Sequence, residues 1–209
     1  MGRDRSPKCK QCRREGMKLM IKGTKCVSPA CPMTKRPYAP GIHGKAMKKK
    51  TSYGVQLREK QKVKRMYGLY EKQFRMLYDE ATNSKGVTGR LMLQYLERRL
   101  DNVVYRLLFS MSRNQARQMV RHGLVKVNGK RVDIPSYRVD VNDKIEIAAK
   151  DHFVELVKSN LTITSKDRSV ASWLFLDKDS LKGEVLRNPE KEDIGLPVDE
   201  QVIVELYSK

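Results

Sequence analysis

"SRNQARQMVRHGLVKVNGKRV", residues 112–132, sets a candidate helix directly against a basic hairpin. Ser112 followed by Gln115 fits a capping box, in which each side chain satisfies a backbone N–H at the helix start. Gly123 stands where helices commonly stop on a left-handed residue, and His122 before it suits the negative end of the helix dipole. Between these ends Ala116, Met119 and Val120 share one face, while Arg113, Arg117 and Arg121 recur at every fourth position along a neighbouring one. Val125 and Val127 then alternate with Lys126, and Asn128-Gly129 is a strong signal for a two-residue hairpin turn carrying Lys130 and Arg131 beyond it. No acidic residue occurs from Ser112 to Val132. A solvated basic face is the plainest explanation of the arginines, so the rest of the chain must decide whether they meet a polyanion.

Charge points that way. The 209 residues carry a net +20, which implies an anionic partner, with nucleic acid ahead of a membrane surface. Residues 1–50 hold 15 Lys and Arg against 2 Asp and Glu, whereas residues 151–209 hold 8 against 12. The first three-quarters of the chain is therefore expected to face the polyanion, and the tail to face solvent or basic neighbours. No apolar run approaches the roughly 18 residues of a membrane span, and the N-terminus lacks the apolar core of a secretory signal, so a cytoplasmic location is expected.

All four cysteines fall in the first 31 residues as Cys9, Cys12, Cys26 and Cys31: C-x2-C, thirteen residues, then C-x4-C. Two close pairs across a short loop can bring four thiolates to the corners of one tetrahedron, the geometry a structural zinc prefers. Disulfides would need an oxidising compartment, to which nothing else points. Zn2+ and an iron–sulfur cluster both remain open as the metal. A site closed by four thiolates leaves no position for water or substrate, so no catalytic role follows.

After the cysteines, residues 33–50, rich in Pro, Gly and Lys, read as an extended basic arm that folds on its partner. His43 in this arm suits a phosphate contact better than a metal. Residues 51–85 read as two helices, the first capped by Ser52 and stopped by Gly68, the second with Phe74, Leu77, Tyr78 and Ala81 as a core stripe. "NSKGVTG" at 83–89 is a candidate boundary. The next helix places Leu96, Leu100, Val103, Val104, Leu107 and Leu108 inward, with Glu97, Arg98, Arg99, Asp101 and Arg106 outside. Further on, "HFVELVKSNL" predicts a helix, "SWLFLD" and "GEVLR" predict strands, Trp173 belongs to the core, and residues 198–207 fit either a strand or a helix capped by Asp199.

Five segments carry a resemblance: "CKQC" with "CVSPAC", "RPYAPGIHG", "YGVQLREKQKVKRMYG", the run from Arg99 to Val139, and the terminal "LPVDEQVIVELYSK". In order and nearly end to end, they resemble bacterial small-subunit ribosomal protein four in its four-cysteine, zinc-binding form. The resemblance implies an α+β chain: a mostly helical N-terminal domain with a metal-bound extension, plus an inserted α+β module of helices packed on a small antiparallel sheet. It implies a four-cysteine knuckle and arm over residues 1–45, a helical domain over 46–90 completed by 196–209, and an RNA-binding domain over 91–195 with its core at about 97–150. It further implies a non-enzymatic primary binder of 16S ribosomal RNA. That protein docks on a multi-helix junction of the 5′ domain, nucleates assembly of the subunit body and contributes to translational fidelity. Small-subunit ribosomal protein five, other neighbouring ribosomal proteins and, in some members, the messenger of its own operon are the implied partners. Candidate RNA contacts are Arg13, Arg14, Lys35, Arg36, His43, Lys48, Lys49 and Lys50 of the knuckle and arm, and Arg58, Lys62 and Arg65 of the first long helix. To these are added Ser112, Arg113, Gln115, Arg117, Arg121, Lys126, Asn128, Lys130 and Arg131 of the opening segment, where Ser112, Gln115 and Asn128 also have cap and turn roles.

Two other classes compete. A zinc-finger regulator would read duplex DNA with a helix in the major groove, against which the long cationic arm argues. An RNA-modifying enzyme needs a pocket of perturbed acids and bases, yet the three histidines are scattered at 43, 122 and 152 with no carboxylate cluster beside them.

Overall fold

The computed structural model describes residues 4, 6–46, 49, 51–148, 151–195 and 197–208. In chain order the helices and strands are α1 (Lys8–Glu15), α2 (Thr24–Val27), α3 (Pro32–Lys35), α4 (Ser52–Met66), α5 (Glu71–Asn83), α6 (Thr88–Glu97), α7 (Leu100–Arg106) and α8 (Arg113–Arg121), then β1 (Val125–Val127), β2 (Lys130–Arg131), β3 (Lys144–Ile147), α9 (Asp151–Thr164), β4 (Leu174–Asp177), β5 (Lys182–Val185), α10 (Lys191–Ile194) and α11 (Glu200–Tyr207). The chain divides into two compact units, residues 1–92 with 196–209 and residues 93–195. No helix among the described residues is long and apolar enough to cross a membrane.

The first unit is helical. Thr51, not Ser52, caps α4: its hydroxyl accepts from Gly54 N–H at 3.1 Å, because the residue with extended backbone just ahead of the first turn is the one whose oxygen reaches back. Val63 and Met66 of α4 and Phe74, Leu77 and Ala81 of α5 supply the core. Residues 200–207 form a helix, its first turn held by Asp199, whose carboxylate accepts from Gln201 N–H at 3.0 Å. The Tyr207 ring stacks on Tyr78 with centroids 4.6 Å apart, its hydroxyl donates to Glu71 at 2.8 Å, and Gln56 of α4 donates to Glu205 at 3.0 Å. The C-terminal helix thus closes the unit from the far end of the chain.

The second unit is α+β, with an all-antiparallel sheet in the order β2-β1-β3-β5-β4. Asn128 and Gly129 take φ of 50° and 77°, the paired left-handed conformation of a type I′ turn. The buried face of the sheet, with Val125, Val127, Ile145 and Val185, packs in one cluster with Val103, Val104 and Leu107 of α7, Met119 and Val120 of α8, and Trp173.

The single long helix expected through Leu96–Leu108 is two helices. Arg99 is extended (ψ 135°) and bridges Arg138, Val139 N–H donates to Arg98 O at 3.0 Å, and Leu100 N–H donates to Tyr137 O at 2.8 Å. Pairing with the 137–139 segment takes over the backbone groups that a continuous helix would use, which a local apolar period cannot reveal.

Candidate nucleic-acid interface

The break before α7 changes which charges are buried. Glu97, Arg99 and Asp101, expected outside, are all nearly inaccessible. Arg99 lays its guanidinium on Asp101 with contacts of 3.1 and 2.9 Å, and Arg117 of α8 donates to the same carboxylate at 2.9 Å. Glu97 takes Arg106 through two bonds of 2.8 and 2.9 Å and the Asn102 amide at 2.9 Å. Arg113 donates to Asn102 Oδ1 at 2.8 Å and stands 4.0 Å from Glu97. Burial of this many charges is tolerable because each is paired and hydrogen-bonded. The expectation of three arginines on one open face is therefore corrected: Arg117 is internal, Arg113 is half-internal, and only Arg121 of the three is exposed. The acidic partners come from outside Ser112–Val132, which is why that segment's lack of carboxylates misled.

The exposed cations lie at the end of α8 and on the hairpin. Arg121, Lys130 and Arg131 are exposed and Lys126 is half-exposed, and none of them makes an ion pair among the described residues. Lys126 is paired in register with Arg131 on one side and Glu146 on the other, so the outward face of β2 and β1 is a cationic step at the edge of the sheet. The Arg131 guanidinium lies across Gly123, donates to His122 O at 2.8 Å and ties the hairpin to the end of α8. A side chain at Gly123 (φ 66°) would meet that guanidinium. Three sequence candidates serve the scaffold. Ser112 caps α8 through Gln115 N–H at 3.3 Å, Gln115 accepts from Met111 N–H at 2.8 Å, and Asn128 bridges to Asp143 and Lys144 N–H at 2.7 and 2.9 Å.

In the helical unit the candidates divide similarly. Arg58 and Arg65 both pair with Glu15, whose side chain is fully enclosed, and Lys62 pairs with Glu59. Burial pushes the Glu15 carboxyl up, against the pull of Arg58 and Arg65. These pairs fasten α1 to α4. Arg13 donates to Tyr38 O at 2.9 Å and lies 5.0 Å from the Tyr38 ring centre, and Arg14 donates to Pro40 O at 3.4 Å. These bonds hold the backbone of the arm at residues 38 and 40 against α1. Lys35, Arg36, His43 and Lys49 are exposed, whereas Lys48 and Lys50 lie outside the described residues.

The four cysteines form no disulfide and line one small cavity with Ile21, and Cys12, Cys26 and Cys31 are buried. Burial pushes the Cys12 and Cys26 thiols up, and the charge of the neighbouring thiols adds to it. Backbone N–H groups oppose this shift: Lys22 N–H points at Cys26 Sγ from 3.3 Å, and Leu19 serves Cys12. Among the described residues no group of three or more His, Cys, Asp or Glu side chains is assembled as a metal site. The donor chemistry nonetheless suits a thiolate-binding metal. Four thiols that would repel one another as anions face one cavity, with backbone donors on two of them, and a divalent cation would relieve that repulsion.

A basic hairpin after two helices, on a small antiparallel sheet, is the build of a nucleic-acid-binding module rather than of an enzyme pocket. The comparisons specify it. Residues 3–97 match the ribosomal protein S4/S9 N-terminal domain and residues 98–145 match the S4 domain, an RNA-binding module. Over 209 residues, all of this chain and all of the relative, it is 56% identical to small ribosomal subunit protein uS4 of Thermoanaerobacter sp. (strain X514). The protein of the same name from Thermus thermophilus is 54% identical over 210 residues, and that of Dictyoglomus thermophilum 52% over 209, again with both chains fully covered. The chain belongs to the bacterial uS4 ribosomal protein family, whose members are structural RNA-binding proteins and not enzymes.

Proposed function

We propose that this chain is a structural component of the small ribosomal subunit that binds 16S ribosomal RNA at a multi-helix junction of the 5′ domain. There it nucleates assembly of the subunit body and contributes to translational fidelity. The observation that carries this reading is the exposed cationic step of Arg121, Lys126, Lys130 and Arg131, free of ion pairs among the described residues, on a module of the S4-domain family. Phosphate contacts of this kind orient the protein, while the shape of the folded RNA supplies most of the specificity. The same reading puts the chain in the cytoplasm, next to small-subunit ribosomal protein five and other ribosomal proteins, with its own operon messenger as a further RNA target. Residues 1–45 act as a knuckle and arm, 46–90 with 196–209 as the helical support, and 91–195 as the RNA-binding domain around a core at about 97–150. Cys9, Cys12, Cys26 and Cys31 hold Zn2+, whose role is to brace the knuckle; an iron–sulfur cluster is the competing occupant.

The test is binding of the purified full chain to a transcript of the 16S 5′ domain, across salt concentrations and against scrambled RNA and duplex DNA. Binding that resists both competitors supports the reading. Equal displacement by scrambled RNA, by duplex DNA and by the unlabelled transcript itself would leave only a generic polycation.

A further inference from the structure

The turn that joins α7 to α8 is held by side chains from outside the matched S4 domain. Leu108, Phe109 and Ser110 of this turn are buried, and Leu108 takes φ of 63°, a left-handed conformation unusual for a bulky side chain. A turn offers its carbonyls no regular ladder, so buried ones must find partners elsewhere. Asn160 Nδ2 donates to Phe109 O at 3.0 Å, and Arg168 Nη2 donates to Ser110 O at 3.0 Å. The Thr164 hydroxyl is shared between Leu108 O at 3.3 Å and Asn160 O at 2.7 Å. These donors stand four residues apart on α9 and the turn that follows it, so one stripe meets three consecutive carbonyls. The residues that match the S4 domain end at 145, before α9 begins.

What the stripe fixes is the starting point of α8. Ser110 Oγ donates to Ser112 O at 3.2 Å, and Ser112 caps the helix, so the held turn runs directly into its first residue. Arg121 lies at the other end of α8, about 12 Å along the axis. Arg131 of the hairpin is bonded to His122 O just beyond it, so the hairpin follows the helix. A tilt of roughly 15° at the turn, within the usual spread of helix packing angles, would carry Arg121 about 3 Å, the length of a whole hydrogen bond. Contacts to RNA phosphates depend on placement at that scale.

We infer that Asn160 and Thr164, with Arg168, are positioning residues for RNA binding: they set the angle of α8 and so the placement of the Arg121–hairpin cations against RNA phosphates. α9 is then a working part of the RNA-binding unit, although it lies outside the residues that match the S4 domain. This inference rests on the RNA-binding reading above.

Asn160 is uncharged, which makes the salt dependence of binding diagnostic. The experiment measures affinity of the full chain for the 5′-domain transcript across salt, for wild type and Asn160→Leu, with thermal midpoints alongside. Both are compared at a temperature where circular dichroism shows them folded. Although no cation is removed, Asn160→Leu should bind about tenfold more weakly, with a log–log salt slope lower by about one unit, because the displaced step loses a phosphate contact. A wild-type slope would overturn the inference whatever the midpoint, since the stripe would then serve stability alone. In a chain already carrying Arg121→Gln and Lys130→Gln, adding Asn160→Leu should change the slope less than it does in wild type, and an equal change would overturn the inference. Should Asn160→Leu fail to fold, the milder Thr164→Val carries the same readouts in its place. Failure of the broader reading would show in the wild type itself, as equal displacement by scrambled RNA. Failure of this inference alone leaves the wild type selective and the variant with its slope.

Discussion

Arg117 donates to Asp101 across 2.9 Å, with both side chains more than nine-tenths buried. The bond joins α8 to α7 beneath the exposed cations. It makes the sequence's most regular feature, the arginine stripe, part core and part surface.

Asp101→Ala should therefore be far more damaging than loss of an exposed charge. It strands two buried guanidiniums, those of Arg99 and Arg117. Removing one partner of a buried pair costs about 3–5 kcal/mol. Urea unfolding monitored by circular dichroism should show that loss. A change below about 1 kcal/mol would mean that water reaches the pair.

Arg121→Gln combined with Lys130→Gln should do the reverse. Both residues are exposed and without ion pairs among the described residues, so stability should stay within about 0.5 kcal/mol of wild type. The salt slope of RNA binding should fall by roughly 1.5 units if each meets one phosphate. Filter binding at several salt concentrations checks this, and an unchanged slope removes both from the interface.

Gly183 in β5 has no room for a side chain. A Cβ there would stand 2.5 and 2.6 Å from the two methyl carbons of Leu107, which is itself fully buried. Gly183→Ala should cost about 1–3 kcal/mol through forced repacking of α7 on the sheet. A thermal melt equal to wild type would show that Leu107 moves aside freely.

Acid sensitivity has identifiable sources. Burial raises the Glu71 carboxyl, but hydrogen bonds from Lys60, Lys64 and Tyr207 outweigh it and bring it down to about 2. The Arg187 guanidinium likewise holds Asp193 at about 2, against slight desolvation. Both values lie below the unfolded range near 4, so between about pH 4 and pH 2 the unfolded chain binds more protons. Their stabilisation is therefore complete above pH 4 and drains away as pH falls toward 2. Glu71→Gln should flatten that acid limb in thermal midpoints taken across this range. A limb as steep as wild type would assign it to other groups.

Metal content tests the knuckle. Purified chain should carry about one Zn2+, and Cys12→Ser with Cys26→Ser should abolish it. Stripping the metal with chelator should expose residues 8–35 to proteolysis, because these short helices would then lose the ion that joins them. A brown chain absorbing near 400 nm would identify an iron–sulfur cluster instead.

Much of this molecule was legible in the residues alone. The Asn128-Gly129 turn, the Ser112 cap of α8 and the helix stop at Gly123 are set by local stereochemistry, and the structure contains each as read, except that the Gln115 side chain accepts from Met111 N–H in place of Ser112 N–H. Net charge named the chemical class of the partner, since a charge total does not depend on the fold. The positions of the carboxylates that neutralise particular arginines were not legible. Glu97 and Asp101 reach Arg106, Arg113 and Arg117 only because the chain breaks helix at Arg99 to pair with Arg138, and Glu15 reaches Arg58 and Arg65 across more than forty residues. Periodicity says which side chains share a stripe, but not what packs against it. Whether a cation is buried with a partner or left for RNA depends on desolvation and on neighbours distant in sequence, so the open patch at Arg121, Lys130 and Arg131 was decided by tertiary structure alone.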